Sequence, residues 1–432
     1  MNLKFNQLLI WFFASVIIGV AISYKYIYLL HILLFIILLF LINYLTKKQK
    51  LKSLPSKLHY IFFFMLFWYY ISLIWSINYE YTIKYLGYIF IGMTIVLISI
   101  YYMSFNIINQ VKAFNIMFIF ICLEIIFSLL EIFTSFRLPV SPFSSLVTYF
   151  GRHVTYDPNL DNSVISILLS YPTGFEWNPN NLAIAMLIFL PFFLNALNKK
   201  IKFLGSISIF IIILMSGSRG AFISLIFLIF IYMLMTKKRF LLSLSILPLL
   251  LSILFIGLDD LKHSSNQKIK EMAYSFEALN SYLFKKEDIK NSIGERQKLI
   301  NNGLKVFSEH YLLGVGGGAS QEIQKEEGGT ANITSMHNFW IEILVESGII
   351  FFIIFVSWYI YIIFLLYKVY KSTKVIILEY FASSLFLSMV VFIPACISAS
   401  SVIYFFPMWI MFGLAISTIN NYRMCNEITI SR

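Results

Sequence analysis

Apolar runs long enough to cross a bilayer recur along the whole chain, separated by short polar stretches and by two long ones. They fall near 8–23, 26–45, 59–77, 85–103, 113–136, 181–197, 203–216, 220–235, 240–257, 338–367, 376–393 and 402–419. That is about twelve helices, the run at 203–216 being the short one. The pattern predicts an all-α polytopic membrane protein, with 1–432 forming a single integral membrane domain. Composition points the same way. Of 432 residues, 59% are hydrophobic and only 12% charged, with mean hydropathy +0.81. A soluble domain cannot hide that much apolar surface.

Charge then orients the spans. Lys47, Lys48, Lys50, Lys52 and Lys57 follow the second run, and Lys199, Lys200 and Lys202 follow the sixth. Lys237, Lys238 and Arg239 follow the eighth, Lys368, Lys371 and Lys374 the tenth, and Arg423 and Arg432 the last. Every cluster follows an even-numbered run, so the positive-inside rule puts them all, and both termini, on the cytoplasmic side of the membrane. The formal net charge of +12 consists largely of these anchors. They suit anionic lipid, and nothing calls for nucleic acid. Lys4 before an apolar run and the small-x-small stretch Ala21-Ile22-Ser23 imitate a signal peptide. The next run begins almost at once, so retention of the first is expected. Cys122, Cys396 and Cys425 have neither disulfide nor zinc spacing.

With this orientation both long polar segments are extracytoplasmic. The first, 137–180, carries Pro139, Pro142, Pro158, Pro172 and Pro179 and reads as a folded-back loop. The second, 258–337, lies between spans nine and ten and far exceeds an ordinary helix connection. Helical periodicity at 267–284 and 295–309 makes it partly helical, and Gly314-Val315-Gly316-Gly317-Gly318 breaks it. Inner loops are short and hold no domain.

The polar residues of the outer face have both a plain and a functional reading. Arg219, in Ser216-Gly217-Ser218-Arg219-Gly220, is either a cation snorkelling to headgroups or a bidentate fork for phosphate, with Ser218 as an added donor. The positive-inside rule disfavours an outer arginine, which strengthens the second reading. Arg296 is either a surface residue of a loop helix or a second anion contact. The glycine run after it, Gly316 included, would expose backbone N–H groups to an anion. It is no P-loop, because the Lys-Ser/Thr ending is missing.

His337 opens His337-Asn338-Phe339-Trp340, where the loop re-enters the bilayer. It is either a cap or interface residue, or a base whose neutral imidazole takes a proton. Glu342 and Glu346 follow at i, i+4 on one helix face, placed to orient the imidazole or to pair with a loop arginine. Glu124 and Glu131 lie two turns apart on the fifth span. Glu176-Trp177-Asn178-Pro179-Asn180-Asn181 ends the first long loop. Trp177 and Asn180 suit a sugar ring and its hydroxyls, while a Pro-Asn turn capping the next span is the plainer reading. There is no Asp-x-Asp, no Walker motif and no metal-ligand spacing. Chemistry without a metal or any other cofactor, and without nucleotides, is expected.

Together these features resemble the O-antigen ligase and O-antigen polymerase superfamily of bacterial membrane glycosyltransferases. The resemblance covers about 170–360: Thr173-Gly174 to Asn180-Asn181, Ser216 to Gly220 opening a span, Arg296 a helix ahead of Leu313-Gly314-Val315-Gly316, and His337-Asn338 before Glu346-x-Gly348. It implies inverting transfer from an undecaprenyl-diphosphate-linked saccharide to a saccharide or glycolipid acceptor. Arg219 and Arg296 would hold the diphosphate, His337 would act on the acceptor hydroxyl, and the helical loop would form a lid. A flippase and a chain-length regulator would be its partners. Polymerase is preferred to ligase because nothing marks a dedicated second acceptor. The rival reading is a polysaccharide flippase or secondary transporter, which about twelve spans also suit. That reading predicts matching halves and a polar path through mid-membrane, neither of which the sequence carries.

Overall fold

The computed structural model describes residues 3–47, 53–154, 169–236, 292–327, 334–397, 399 and 402–430. The expected span at 240–257 and loop helix at 267–284 lie outside these residues. Eleven long apolar helices carry the described part: α1 (Leu3–Ile18), α2 (Leu29–Thr46), α3 (Tyr60–Ile71), α4 (Tyr79–Met103), α5 (Ile107–Phe133), α6 (Pro179–Leu194), α7 (Lys199–Met215), α8 (Arg219–Met235), α11 (Phe339–Ser372), α12 (Ile376–Ala395) and α13 (Phe406–Ile430). Two polar helices, α9 (Ser292–His310) and α10 (Ser320–Glu327), lie in the second long segment. Among the described residues, strand is confined to a hairpin of two-residue pieces, Ser23–Tyr24 against Ile27–Tyr28.

Five of these helices, α2, α4, α5, α11 and α12, are long and apolar enough to cross a membrane by length and composition. Shorter apolar helices at Phe5–Ala21, Tyr60–Ile74, Pro179–Leu194 and Arg219–Met235 accompany them. The run read as a short span at 203–216 belongs to a helix that begins at Lys199. Its first lysines are exposed or half-buried, and Asn198 caps it by accepting the N–H groups of Lys200 and Ile201. The hydrophobic pattern missed that polar first turn because a lysine can stand in a helix while its head stays in the headgroup layer. Asparagine starts helices throughout. Asn78, Asn106, Asn178 and Asn338 likewise accept first-turn N–H groups of α4, α5, α6 and α11.

At the centre stands α6, buried on every side from Asn181 to Phe193. It packs on α7, α8, α12 and α13, as a helix apolar all round must. Around it, α4 lies against α13, and α5 against α1. At the end bearing the basic clusters, a polar clamp joins three helices: Gln110 donates to Thr418 (2.6 Å), and Asn421 donates to Gln110 (2.7 Å) and to the Met103 carbonyl (2.9 Å).

The segments that the charge pattern assigns to the other face meet one another there. Val20 N–H donates to the Phe175 carbonyl (3.0 Å), Lys25 N–H to Phe150 (2.8 Å), Ile77 N–H to Val315 (3.1 Å), and Phe339 N–H to Cys396 (3.4 Å). Helix α9 packs on α10 and on the first part of α11. This polar layer positions the candidate site.

Candidate active site

Arg219 owes its place to a tight reversal between α7 and α8. Ser216 ends α7, its hydroxyl donating to the Ile213 carbonyl (2.7 Å) and accepting the Ser218 N–H (3.2 Å). Gly217 turns the chain with φ +69°, and a Cβ there would stand 2.8 Å from the Tyr171 ring. Ser218 is buried and its hydroxyl does not cap α8. Arg219 is the first residue of α8 and lies within electrostatic reach of Tyr171.

Arg296 comes from α9, far away in sequence, and is half-buried. Burial lowers its guanidinium from the ordinary value, and the positive charge of Arg219 lowers it further. The fold therefore brings two cations together in a desolvated layer, where like charges repel more strongly than in water. An anion bridging two guanidinium forks would relieve that repulsion and satisfy their donors.

His337 adopts φ +47°, an uncommon backbone conformation for a side-chain-bearing residue. Both neighbours hold it there. Met336 is buried beneath α9, where a Cβ on Gly303 would lie 2.3 Å from its methyl group, and its sulfur accepts from Gln324 (3.0 Å). On the other side Asn338 caps α11, accepting the Ile341 N–H (3.3 Å). His337 thus sits on a short segment clamped to the helix that carries Arg296.

The remaining predicted residues separate into two groups. Gly316, Glu346 and Asn338 are structural in this fold. The N–H groups of Gly314, Val315, Gly316 and Gly317 donate to the carbonyls of His310, Val345 and Glu346 and to the Ser72 hydroxyl, respectively. The glycine run therefore does not form an open cradle of donors for an anion, which corrects the reading of Gly316. Its glycines instead admit a close approach to α11, where Gly348 interrupts the helix with φ +74°. The carboxylates of α11 are likewise engaged with hydroxyls. Glu346 accepts from Ser320 (2.7 Å) and Tyr69 (3.5 Å), and Glu342 accepts from Tyr85 (3.1 Å). Glu346 ties the loop to α3 and α11.

Trp177 and Asn180 lie in the other group, at the rim beside α6. Arg152 stacks over the Trp177 ring at 4.5 Å and over Tyr28 at 5.5 Å. Asn180 is half-buried in the first turn of α6, its N–H donating to Asn178 (2.8 Å). Asn178 is the cap, as the plainer reading of the Pro-Asn turn expects.

Sequence reasoning missed the scaffold beneath this rim. Glu131, fully buried, accepts the N–H groups of Thr173 (2.6 Å) and Gly174 (2.8 Å) and pairs with Arg137 at 3.3 Å. Arg137 also donates to the carbonyls of Tyr171 (2.9 Å) and Leu169. This ion pair fixes Tyr171 against the Arg219 turn. Glu131 and Arg137 straddle a helix end, so no helical spacing announces them. Glu176, half-buried nearby, has its carboxyl pushed up to about 8 by burial.

Fold and site together define a helical membrane protein whose loops gather two half-buried arginines and a conformationally strained histidine on one face. Residues 204–356 match the family model described as O-antigen ligase, which bears out the resemblance over the stretch holding Arg219, Arg296 and His337. The chain is also 24% identical over 388 residues to the teichuronic acid biosynthesis protein TuaE of Bacillus subtilis (strain 168), covering 85% of this chain and 73% of the relative.

Proposed function

We propose that this protein is a membrane glycosyltransferase of surface-polysaccharide biosynthesis, polymerising undecaprenyl-diphosphate-linked repeat units at the outer face of the plasma membrane. The observation that carries the reading is the convergence of Arg219 and Arg296, from helices distant in sequence, within mutual electrostatic reach. The family match and the relative's role in making teichuronic acid support it.

In this reading the acceptor hydroxyl oxygen attacks the anomeric carbon of the donor sugar while the bond from that carbon to the diphosphate breaks, inverting the centre. Arg219 and Arg296 bind the diphosphate and stabilise the charge it gains on leaving. His337 takes the acceptor proton. Ser218 adds a contact to the diphosphate, Trp177 and Asn180 contact saccharide, and Asn338, Glu346 and Gly316 position the loop. The described parts of the two long segments, with helices α9 and α10, form the extracytoplasmic wall and lid, and both termini are cytoplasmic.

The test is incubation of purified protein with lipid-diphosphate-linked repeat units from the host, comparing wild type with His337→Ala and Arg219→Ala. A ladder of longer lipid-linked chains, lost in both variants, is the expected result. Transfer only after a different acceptor is added would make the enzyme a ligase. Passage of intact substrate across vesicle membranes, with no new linkage, would overturn the enzymatic reading.

A further inference from the structure

A cavity lies at the end of the bundle opposite the arginine site. Helix α2 packs on α1 and on the short hairpin, while only 17% of its apolar window is buried. Between α2 and the pair α3–α4 this leaves a cleft of about 1070 Å³, at the upper limit of the roughly 300–1,000 Å³ typical of small-molecule sites. Leu9, Leu34, Met93 and Leu97 form its apolar wall, and Lys47, His59 and Tyr101 stand at its basic-face end. From Leu34 to Lys47 the cleft follows α2 for about 20 Å at 1.5 Å per residue. One leaflet of hydrocarbon is about 15 Å deep, so the cleft accommodates an acyl chain along its length.

Its mouth is polar in a specific way. Lys47 is exposed and terminates α2, where a cation also meets the helix's negative end. His59 is 5% exposed and lines the cleft, its imidazole held against the Ser56 backbone. Basic pockets between membrane helices on the side rich in lysine are suited to anionic headgroups.

We infer that the α2–α3–α4 cleft binds one anionic phospholipid of the Lys47 leaflet, with an acyl chain along Leu34 and Leu97 and its phosphate between Lys47 and His59. The lipid serves as a structural wedge between α2 and α4, remote from the arginine site.

The experiment uses the full-length protein in mild detergent with phosphatidylglycerol and phosphatidylcholine of identical chains, each carrying a photoreactive acyl group, and maps the cross-links by mass spectrometry. Cross-links should concentrate on cleft residues of α2 and α4, with about a fivefold preference for phosphatidylglycerol from one basic side chain. Lys47→Ala, an exposed change that leaves packing intact, should lower the preference and keep the cross-links. Leu97→Trp should obstruct the acyl path beside α4 and lower labelling by both lipids. Equal labelling of the two lipids by wild type would overturn the headgroup assignment. Labelling spread over the outer surface would overturn the site. Displacement of phosphatidylglycerol by a polyprenyl diphosphate would assign the cleft to the donor's tail instead.

Discussion

At the scale of single residues, the chemistry depends on charges that the fold holds out of water. Arg296 and Arg219 share one electrostatic environment, so their contributions to a bound diphosphate should be coupled. Arg296→Ala should lower kcat by about 10²–10³ in the polymerisation assay, the usual effect of losing one transition-state charge contact. Arg219→Lys should not rescue activity, because an ammonium lacks the planar two-donor fork. The Glu131–Arg137 pair acts through the loop it holds. Glu131 has no exposed side-chain surface, so Arg137→Ala strands a buried carboxylate. Thermal unfolding in detergent should show a loss of about 3–5 kcal/mol. Glu176 supplies the pH dependence. Its carboxyl is raised from 4.5 to about 8, so the folded state holds the proton more tightly than the unfolded chain. The stabilisation is complete below about 4.5 and is lost as pH rises through about 8. The thermal midpoint should therefore fall between pH 5 and 9 in wild type, and Glu176→Gln should flatten that slope. The arginines and the histidine were legible from the sequence because polar groups beside apolar runs stand out. Glu131 was visible as a carboxylate inside a span, but its partners came from a loop whose path no periodicity encodes.

At the scale of elements, the glycine run and the break in α11 form a single joint. Gly348 has φ +74°, and a Cβ there would lie 2.3 Å from the Leu312 carbonyl; on Gly314 it would lie 2.4 Å from the Glu346 carbonyl. Ile349 N–H donates to Tyr311 and Gly316 N–H to Glu346, binding the two segments backbone to backbone. Gly348→Ala combines a left-handed backbone with that clash, so about 1–3 kcal/mol of strain is expected from the conformation alone. Limited proteolysis should cut the 311–334 region faster in the variant, and activity should fall with it. Sequence periodicity found α9 within a few residues, at 295–309 against the observed Ser292–His310. It read the glycine run as a ligand cradle because glycines that admit a ligand and glycines that admit another backbone look alike in one dimension.

At the scale of the molecule, the loops between helices sort into two layers, and the layer holding Arg219, Arg296 and His337 excludes the lysine clusters. The outer placement of that layer has a direct test. In a cysteine-free background, an impermeant maleimide on intact cells should label Tyr149→Cys, since Tyr149 is 79% exposed, and should spare Leu197→Cys, 84% exposed at the other end, until the membrane is opened. The sequence alone determined the membrane class and the approximate positions of the described apolar helices, because hydropathy is read by the bilayer one segment at a time. It also singled out Arg219, Arg296 and His337. The tertiary structure decided which loops touch, that Arg296 comes within electrostatic reach of Arg219, and that Gly316 and Glu346 hold the loop to its neighbours. It also decided that Glu131 and Arg137 carry the rim. Those outcomes depend on contacts between segments far apart in the chain, which the three-dimensional path sets and local pattern does not.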